Sequence, residues 1–344
     1  MNILLIQHRQ IGDVLMCTPS VRALRKKFPD AEITFLVEPF SLNAVRHNPN
    51  IDRFIVVPRR MSPWKFISVH LGVRRASYDA VVDFFKNPKS AWLTWMSRAD
   101  MRISLKGGHR NFAYTHTVDM GDRYEYAAVQ KLRLLKPMGI EEEKDVLPEF
   151  FITDTERAWA DRVWRDLGLS DSDTVAAVSP VSRRKCRVWP PEYYARLCDH
   201  LIHAWGAKVI LTWGPGEEDC IEPIVRNMQE KAETDYPMPS LGELYALFEK
   251  CSLFAGNDNG PRHMAVAAGI PTLGLFGRTC PSSWTPPDTR IHETVRAPAK
   301  KTEKNGNIYD MRDLLPETAI EAADRIIRKC KGAEHNGKKK AEKA

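Results

Sequence analysis

One stretch, 254–278, restricts the possible folds of this chain more than any other. An apolar segment gives way there to a short polar turn, and small residues then follow at helical spacing until Gly269. Asn259 is a suitable N-cap for that helix, and Pro261 fits its first turn, where a missing N–H costs no hydrogen bond. A second apolar segment, 272–276, predicts the next strand. Strand, turn, helix and strand in this order predict a parallel βαβ unit.

The turn of this unit is a candidate anion-binding site. It lies at the carboxyl end of a strand, where the first N–H groups of the helix and the positive end of its dipole meet. Its side chains are Asp258, Arg262 and His263. In the alternative interpretation, Asp258 only caps the helix and His263 faces solvent. We favour anion binding because the small side chains of the helix allow it to approach closely what it covers.

The amino-terminal part shows the same alternation of strands and helices. Residues 2–7 form a near-continuous apolar run, typical of a parallel strand buried on both faces. Apolar residues at helical spacing from Val14 to Phe28 predict a helix with Asp13 at its amino terminus. Further strands are predicted at 33–37, 54–57 and 80–84. The result is a Rossmann-like half without the G-x-G-x-x-G fingerprint or a Walker A lysine, the usual markers of dinucleotide binding and ATP hydrolysis.

A second series of strands, loops and helices begins at Thr174, after a linker-like segment. We therefore predict an α/β fold of two Rossmann-like domains that face a central cleft, the natural place for a ligand. The predicted bounds are 1–150 for the first domain, 151–315 for the second, 316–330 for a final helix and 331–344 for a disordered basic tail.

Two motifs at opposite ends of the chain resemble those of the lipopolysaccharide heptosyltransferases, glycosyltransferase family 9. They are D-x-G-x-x-H from Asp258 to His263, with Gly260 inside it, and G-D-x-x-x-x-x-P from Gly12 to Pro19. The resemblance implies the GT-B architecture and an inverting transfer of heptose, with ADP-heptose as donor and a lipopolysaccharide core as acceptor. It assigns the acceptor to the first domain and the nucleotide sugar to the second, and it implies no cofactor.

Asp13 is the candidate general base. Its place at a helix start favours the carboxylate form, which can accept the proton of an acceptor hydroxyl. The alternative is an ordinary capping residue. The resemblance favours catalysis, since the matching aspartate of the family is taken as the base of the displacement.

Four cations lie in the loop after the first strand of the second domain: Arg183, Arg184, Lys185 and Arg187. The simplest interpretation is a solvated run of charge. The resemblance instead implies a phosphate site, with a family lysine at the position of Arg187 and a family threonine at that of Ser182. Arg187 can bind a phosphate bidentately, but Lys185 can also fill the role, so the choice between them stays open.

Glu218 follows another glycine-rich loop and matches a family glutamate that binds the nucleotide ribose. A carboxylate can accept hydrogen bonds from both ribose hydroxyls. An acid in the first turn of a helix is an equal alternative. At the anion turn, the helix amino terminus can also bind the phosphates. His263, protonated or held as a neutral donor, can donate a hydrogen bond to the leaving phosphate. The predicted donor-binding residues are Ser182, Lys185, Arg187, Glu218, Asp258, Asn259, Gly260 and His263.

Composition limits the partners and the compartment. A net charge of +7 suits anionic partners, and we expect a nucleotide-diphosphate sugar and an anionic glycolipid, without nucleic acid. Seven scattered cysteines and no signal peptide predict a cytoplasmic protein with no metal site. We also expect a peripheral contact with the inner membrane. One apolar and basic segment around Trp64 and Lys65, with Phe66, Val69 and Leu71, forms either a membrane-surface element or a core helix.

Other functions remain possible on the sequence alone. One is a Rossmann-type nucleotide-sugar oxidoreductase or epimerase, which the missing glycine fingerprint disfavours. Another is a family 9 transferase with a different sugar donor, and a third is a non-catalytic binder of nucleotides or anionic lipid. The sequence D-S-D at 171–173 resembles the metal motif of other glycosyltransferases, but it precedes a strand and predicts a turn. We therefore expect a metal-independent transferase.

Overall fold

The chain divides into two compact units, Met1–Phe151 and Ile152–Ala344. A computed structural model describes the backbone of residues 1–141, 143–288, 290–302 and 306–341. Side chains are described at the same positions, except at 185, 301, 302, 306 and 331–341. Each unit contains its own parallel sheet with helices packed against it.

The first unit is built on a parallel sheet in the order β3-β2-β1-β4-β5-β6, the strand order of a Rossmann fold. Strand β1 pairs with β2 on one side and β4 on the other, which explains its unbroken apolar sequence. The order of strands reverses between β1 and β4, so their loops flank the switch point. The elements are β1 (Asn2–Ile6), α1 (Ile11–Leu15), α2 (Thr18–Lys27), β2 (Glu32–Val37), α3 (Pro39–Leu42), β3 (Arg53–Val56), α4 (Pro63–Arg75), β4 (Ala80–Asp83), α5 (Pro88–Ser97), β5 (Met101–Leu105), β6 (His116–Val118) and α6 (Ala127–Arg133).

The second unit has a parallel sheet in the order β11-β10-β9-β7-β8, the other common doubly wound arrangement. Its switch point lies between β7 and β9. An antiparallel pair, β12 with β13, is added to it. The elements are α7 (Asp154–Asp166), β7 (Val175–Ser179), α8 (Pro191–Trp205), β8 (Lys208–Leu211), α9 (Glu222–Asn227), α10 (Leu241–Glu249), β9 (Leu253–Asn257), α11 (Gly260–Ala267), β10 (Thr272–Phe276), β11 (His292–Arg296), β12 (Ala299–Thr302), β13 (Gly306–Tyr309) and α12 (Pro316–Ala341).

Trp189 anchors the loop that follows β7. Its side chain is fully buried, its Nε1 donates to the carbonyl oxygen of Leu314 at 2.7 Å, and Tyr194 packs edge-on against it at 4.9 Å. Burying an indole contributes strongly to the core, and the single hydrogen bond satisfies its only polar group. The loop is therefore fixed at both ends, by strand β7 and by the buried Trp189. Only the residues between these two ends are available for a ligand.

The structure differs from the sequence prediction in both units. The single helix expected from Val14 to Phe28 is two helices, because Met16 and Cys17 form a turn between α1 and α2. Strands β5, β6, β11, β12 and β13 and helix α5 were not predicted. The last helix, Pro316–Ala341, continues past residue 330 into the segment 331–344 that we expected to be disordered, and 342–344 lie outside the described residues.

Candidate active site

Two loops meet at the switch point of the second sheet, one after β7 and one after β9. Asn257, the last residue of β9, donates from Nδ2 to the carbonyl oxygen of Pro180 at 2.8 Å. Asn259 donates from Nδ2 to the carbonyl oxygen of Val181 at 2.9 Å. These bonds hold the predicted phosphate loop against the predicted anion turn. Ligands of doubly wound folds bind outside the carboxyl ends of the strands at this point.

Helix α11 begins at this junction as the sequence predicts. Asn259 is its N-cap, and its Oδ1 accepts a hydrogen bond from the backbone N–H of Arg262 at 3.1 Å. Pro261 is in the first turn, and Gly269 follows the helix with a φ of 73°. The remaining N–H groups of the first turn and the helix dipole make the site suitable for an anion.

Asp258 is paired with Arg187. The guanidinium Nη1 donates to Oδ2 of Asp258 at 2.9 Å, and the carboxylate is 7% exposed. The alternative that Asp258 caps the helix is wrong, because Asn259 is the cap. The carboxylate holds Arg187 at the edge of the switch point. Among the described residues the guanidinium has no second hydrogen bond, so its other N–H groups are available to a phosphate.

Lys185 lies in the same short 3₁₀ turn as Arg187, Lys185–Arg187. Its side chain lies outside the described residues, so the choice between the two cations as phosphate ligand stays open. Ser182, earlier in the loop, accepts from the backbone N–H of Arg184 at 3.4 Å through its hydroxyl. Its hydroxyl hydrogen is not used by this contact.

His263 is buried in the first turn of α11, and the alternative that it faces solvent is wrong. Burial, with a smaller contribution from the charge of Arg262, lowers its pKa to about 3. The imidazole is therefore neutral near pH 7, and the protonated form considered above is excluded. Its Nδ1 has no hydrogen-bond partner among the described residues, and its ring lies 5.6 Å from that of Trp284. A neutral imidazole can still donate one hydrogen bond to a phosphate.

Arg262 does not belong to the anion site. It is fully buried, donates to the carbonyl oxygen of Trp284 at 2.9 Å and to the hydroxyl of Thr285 at 2.8 Å, and lies 5.0 Å from the ring centre of Phe276. A Cβ at Gly274 would lie 2.5 Å from its Nε. The prediction that Arg262 is one of the side chains of the anion turn is therefore wrong. Arg262 instead fixes α11 to the loop at Trp284 and Thr285.

Glu218 lies in a turn, Glu218–Cys220, after β8, at the same edge of the sheet as the two loops. Its side chain is exposed, and no hydrogen bond to it occurs among the described residues. Its neighbour Glu217 instead accepts from the backbone N–H of Gly214 at 3.0 Å and shapes the glycine-rich loop. Glu218 is thus open to a ligand, whereas Glu217 is structural.

In the first unit, Asp13 lies at the third position of α1, beside the carboxyl end of β1. Its carboxylate accepts from the backbone N–H of Gln10 at 3.2 Å, and the side chain of Gln10 accepts from the helix in return, which forms a capping box. The side chain of Asp13 is half-buried. The predicted position at a helix terminus is confirmed.

A basic cavity of about 390 Å³ lies at the same edge of the first sheet. This cavity was not predicted, although the basic residues that follow several strands of one sheet are a sequence signal for it. His8 lies 6% exposed on its wall, with Nε2 unpartnered among the described residues and a pKa lowered to about 4 by burial and by Lys89 and Arg9. The lining residues are His8, Arg9, Glu38, Pro58, Arg59, Arg60, Met61, Asn87, Pro88 and Lys89. Four cations against one carboxylate make the cavity suitable for an anionic group.

The D-x-D sequence forms a turn, as expected. Asp173 accepts from the backbone N–H of Ser170 at 2.8 Å and from its hydroxyl at 2.9 Å. Within the part of the chain that the structure describes, no three His, Cys, Asp or Glu side chains are grouped so that they could hold a metal.

Comparison with known proteins identifies the family. The model of glycosyltransferase family 9 (heptosyltransferase) matches residues 67–311. This chain belongs to glycosyltransferase family 9. Lipopolysaccharide heptosyltransferase 3 of Escherichia coli K12 is 27% identical over 301 residues, which cover 81% of this chain and 83% of that relative.

Solved structures of glycosyltransferase family 9 share the fold. A family 9 glycosyl transferase from Veillonella parvula has a TM-score of 0.81 and 23% identity, covering 94% of this chain and 96% of its own. E. coli heptosyltransferase WaaC with ADP-2-deoxy-2-fluoro heptose has a TM-score of 0.70 and 20% identity, covering 94% of this chain and 99% of its own. The predicted α/β class with two Rossmann-like domains is confirmed, and the chain is a glycosyltransferase.

Proposed function

We propose that this glycosyltransferase transfers heptose from ADP-heptose to a lipopolysaccharide core acceptor. The relatives support the substrate class, since one is a lipopolysaccharide heptosyltransferase and one was solved with an ADP-heptose analogue. The observation that carries the proposal is the junction at the second switch point. A helix amino terminus, an arginine held by Asp258 and the neutral His263 are gathered there.

The donor lies in the second domain, 151–315. Its diphosphate binds the first N–H groups of α11 near Asn259 and Gly260 and the open donors of Arg187, with Lys185 and Ser182 from the same loop. His263 donates one hydrogen bond to the departing phosphate. Glu218 accepts from the ribose hydroxyls. These groups stabilise the charge that develops on the leaving diphosphate and take the place of a metal.

Asp13 acts as the general base in the first domain, 1–150. Its carboxylate accepts the proton of the acceptor hydroxyl as the hydroxyl oxygen attacks the anomeric carbon of the heptose. The bond from that carbon to the diphosphate breaks, ADP leaves with the electron pair, and the anomeric configuration inverts. The transfer involves no oxidation or reduction and therefore needs no redox cofactor.

The acceptor binds at the basic cavity of the first domain. Arg9, Arg59, Arg60 and Lys89 offer charge-assisted hydrogen bonds to anionic groups of a lipopolysaccharide core. No described helix is long and apolar enough to span a bilayer. We place the enzyme in the cytoplasm, at the inner face of the inner membrane, where it reaches a glycolipid acceptor from outside the bilayer.

A donor and acceptor screen tests the function. Purified protein is incubated with ADP-heptose, UDP-glucose or GDP-mannose and with core oligosaccharides that end at successive sugars, and released nucleotide and product mass are measured. ADP release coupled to a heptose-sized mass increase is expected. Transfer from another nucleotide sugar would identify a different donor, and interconversion of the donor without transfer would establish an epimerase instead.

A further inference from the structure

Helices α4 and α5 expose large apolar side chains. Trp64, at the start of α4, is 81% exposed, and Ile67 and Leu71 continue the same face of the helix at spacings of three and four residues. On α5, Trp92 and Trp95 are each nearly half exposed and lie 5.0 Å apart between ring centres. We call these five residues the α4–α5 surface. Large exposed apolar side chains on neighbouring helices indicate an interaction site.

The two helices form one surface because they cover the same side of the sheet. They pack against each other, and Val73 of α4 and Leu93 of α5 share one core cluster with strands β1 and β4. Val69 also packs on this core, and Phe66 is half-buried. Of the apolar residues considered in the sequence analysis, Phe66 and Val69 are therefore inward, whereas Trp64 and Leu71 face solvent.

The two segments that carry the surface contain charges of a single sign. Residues 54–78 contain five Lys and Arg and no Asp or Glu, and residues 84–99 contain three and none. Lys65, Arg74 and Arg75 are exposed and form no ion pair among the described residues. Cations left unpaired beside exposed Trp are typical of helices that lie in the interface of an anionic bilayer.

We infer that the α4–α5 surface docks on an anionic lipid bilayer. Trp64, Ile67 and Leu71 would enter the interfacial region, and Lys65, Arg74 and Arg75 would contact lipid phosphates. This inference rests on the proposed function, which requires a glycolipid acceptor. Both helices start at the edge of the sheet that carries the basic cavity, and Lys89 of α5 lines it. The sugar of an acceptor can thus reach the cavity while its lipid stays in the membrane.

Vesicle sedimentation tests the inference without donor or acceptor. The full chain is mixed with phosphatidylcholine vesicles, with or without phosphatidylglycerol, at low and high salt. We expect binding only to the anionic vesicles, and weaker binding at high salt because screening removes the attraction of exposed charges. Trp64→Ser/Ile67→Ser/Leu71→Ser should lose roughly tenfold or more in partitioning, since its buried apolar area is gone. Arg74→Glu/Arg75→Glu should also bind less.

Matched controls lie on the second unit. Val225→Ser/Ile308→Ser/Leu315→Ser removes three exposed apolar side chains, and Lys208→Glu/Lys231→Glu reverses two exposed charges. Both should bind vesicles as the parent chain does. Circular dichroism and transfer to a delipidated core oligosaccharide report whether the apolar variant is folded and active. A chain that binds vesicles but transfers no heptose would refute the proposed function and leave this inference standing.

The inference is overturned if the parent chain does not bind anionic vesicles, or if the apolar triple variant binds them as well as its control. It is also overturned if that variant binds vesicles as the parent chain does and differs from it only in oligomeric mass, measured by sedimentation velocity. In that case the α4–α5 surface is a contact between copies of this chain.

Discussion

Arg187 and Asp258 are 71 residues apart in the chain and are joined by an ion pair of 2.9 Å at the edge of the second sheet. Each belongs to a different loop of the switch point, so the pair connects the phosphate loop to the anion turn. Without Arg187, the buried carboxylate of Asp258 has no cation and would repel a diphosphate. Without Asp258, the guanidinium of Arg187 loses the contact that orients it.

The pair predicts non-additive effects on ADP binding. Arg187→Ala should weaken ADP binding by about 1.5–3 kcal/mol, the size of a charge-assisted hydrogen bond. Asp258→Asn should also weaken it, because Arg187 loses its orientation. The double variant should bind ADP no worse than Arg187→Ala, as expected for residues that act together. Isothermal calorimetry measures all three, and Arg184→Ala on the same loop is the matched control. Strictly additive losses would show that Asp258 acts on ADP independently.

Asp13→Asn should lower turnover by ~10²- to 10⁴-fold while leaving ADP affinity unchanged, because a general base acts on the acceptor proton and not on the donor. Asn keeps the size of the side chain and can still accept from the backbone of Gln10. Gln10→Ala, which removes the other half of the capping box, is the control and should affect stability more than turnover. Single-turnover kinetics with saturating donor separate the two effects. A near-normal rate in Asp13→Asn would remove it from the role of base.

His263 should make the protein less stable in acid. Its folded pKa of about 3 lies below the unfolded value of 6.5, so between these values the unfolded chain binds more protons and stability falls as pH falls. From pH 6.5 to pH 5 this residue contributes a loss of about 1.5 kcal/mol, because the unfolded imidazole is half protonated at pH 6.5 and each further pH unit below that approaches about 1.4 kcal/mol. His263→Gln should therefore show a smaller fall in Tm over this range. His203→Gln removes an exposed imidazole and is the control for the substitution itself.

The same burial makes a prediction for catalysis. His263→Ala should lower turnover, because the neutral imidazole loses its hydrogen bond to the leaving phosphate. Between pH 6 and pH 8 the imidazole of His263 is already neutral. The pH–rate profiles of the parent and of His263→Ala should therefore have the same shape in this range, and only the rates should differ. A step in that range that disappears in the variant would contradict the neutral form.

Transfer should survive EDTA. The helix amino terminus, Arg187 and Lys185 supply the positive charge that a metal gives in other glycosyltransferases. Rates are compared before and after chelation and after adding back Mg²⁺ or Mn²⁺. If activity vanishes with EDTA and returns with metal, the helix-terminus mechanism is wrong, and Asp258 is the first ligand to test.

Charge reversal at the cavity separates the acceptor from the donor. Arg59→Glu/Arg60→Glu should raise the KM for a phosphorylated core acceptor about tenfold or more, because each lost charge-assisted contact is worth about 1.5–3 kcal/mol. ADP affinity should not change. Lys208→Glu/Lys231→Glu is the control for net charge. Equal KM values in the two variants would show that the acceptor binds elsewhere.

The sequence predicted the βαβ unit well because its signals are local. Asn259, Pro261 and Gly269 each act on the backbone within one turn, and strand β10 has the predicted bounds. Helix α5 was missed for the opposite reason. It exposes Trp92 and Trp95, so its apolar pattern does not follow a buried face, and it begins with a capping box from Asn87 that apolar periodicity does not detect.

The roles of individual site residues depended on contacts that spacing does not encode. The motif placed Asp258 and His263 correctly at the helix start, but not the pairing of Asp258 with Arg187 or the burial of His263. The prediction that Arg262 is a side chain of the anion turn is wrong. One step along a helix turns a side chain by about 100°, and only the packing of the loop at Trp284 determined which direction was inward.

Gly274 and Arg262 are a matched pair in the centre of the second domain. Since a Cβ at 274 would collide with the guanidinium, alanine there would displace the group that ties α11 to the loop at Thr285. The direction of the helix dipole at the diphosphate site is thus set before the donor arrives, and little binding energy is spent on ordering it. Natural variation at these two positions should be linked: a larger residue at 274 requires a shorter one at 262.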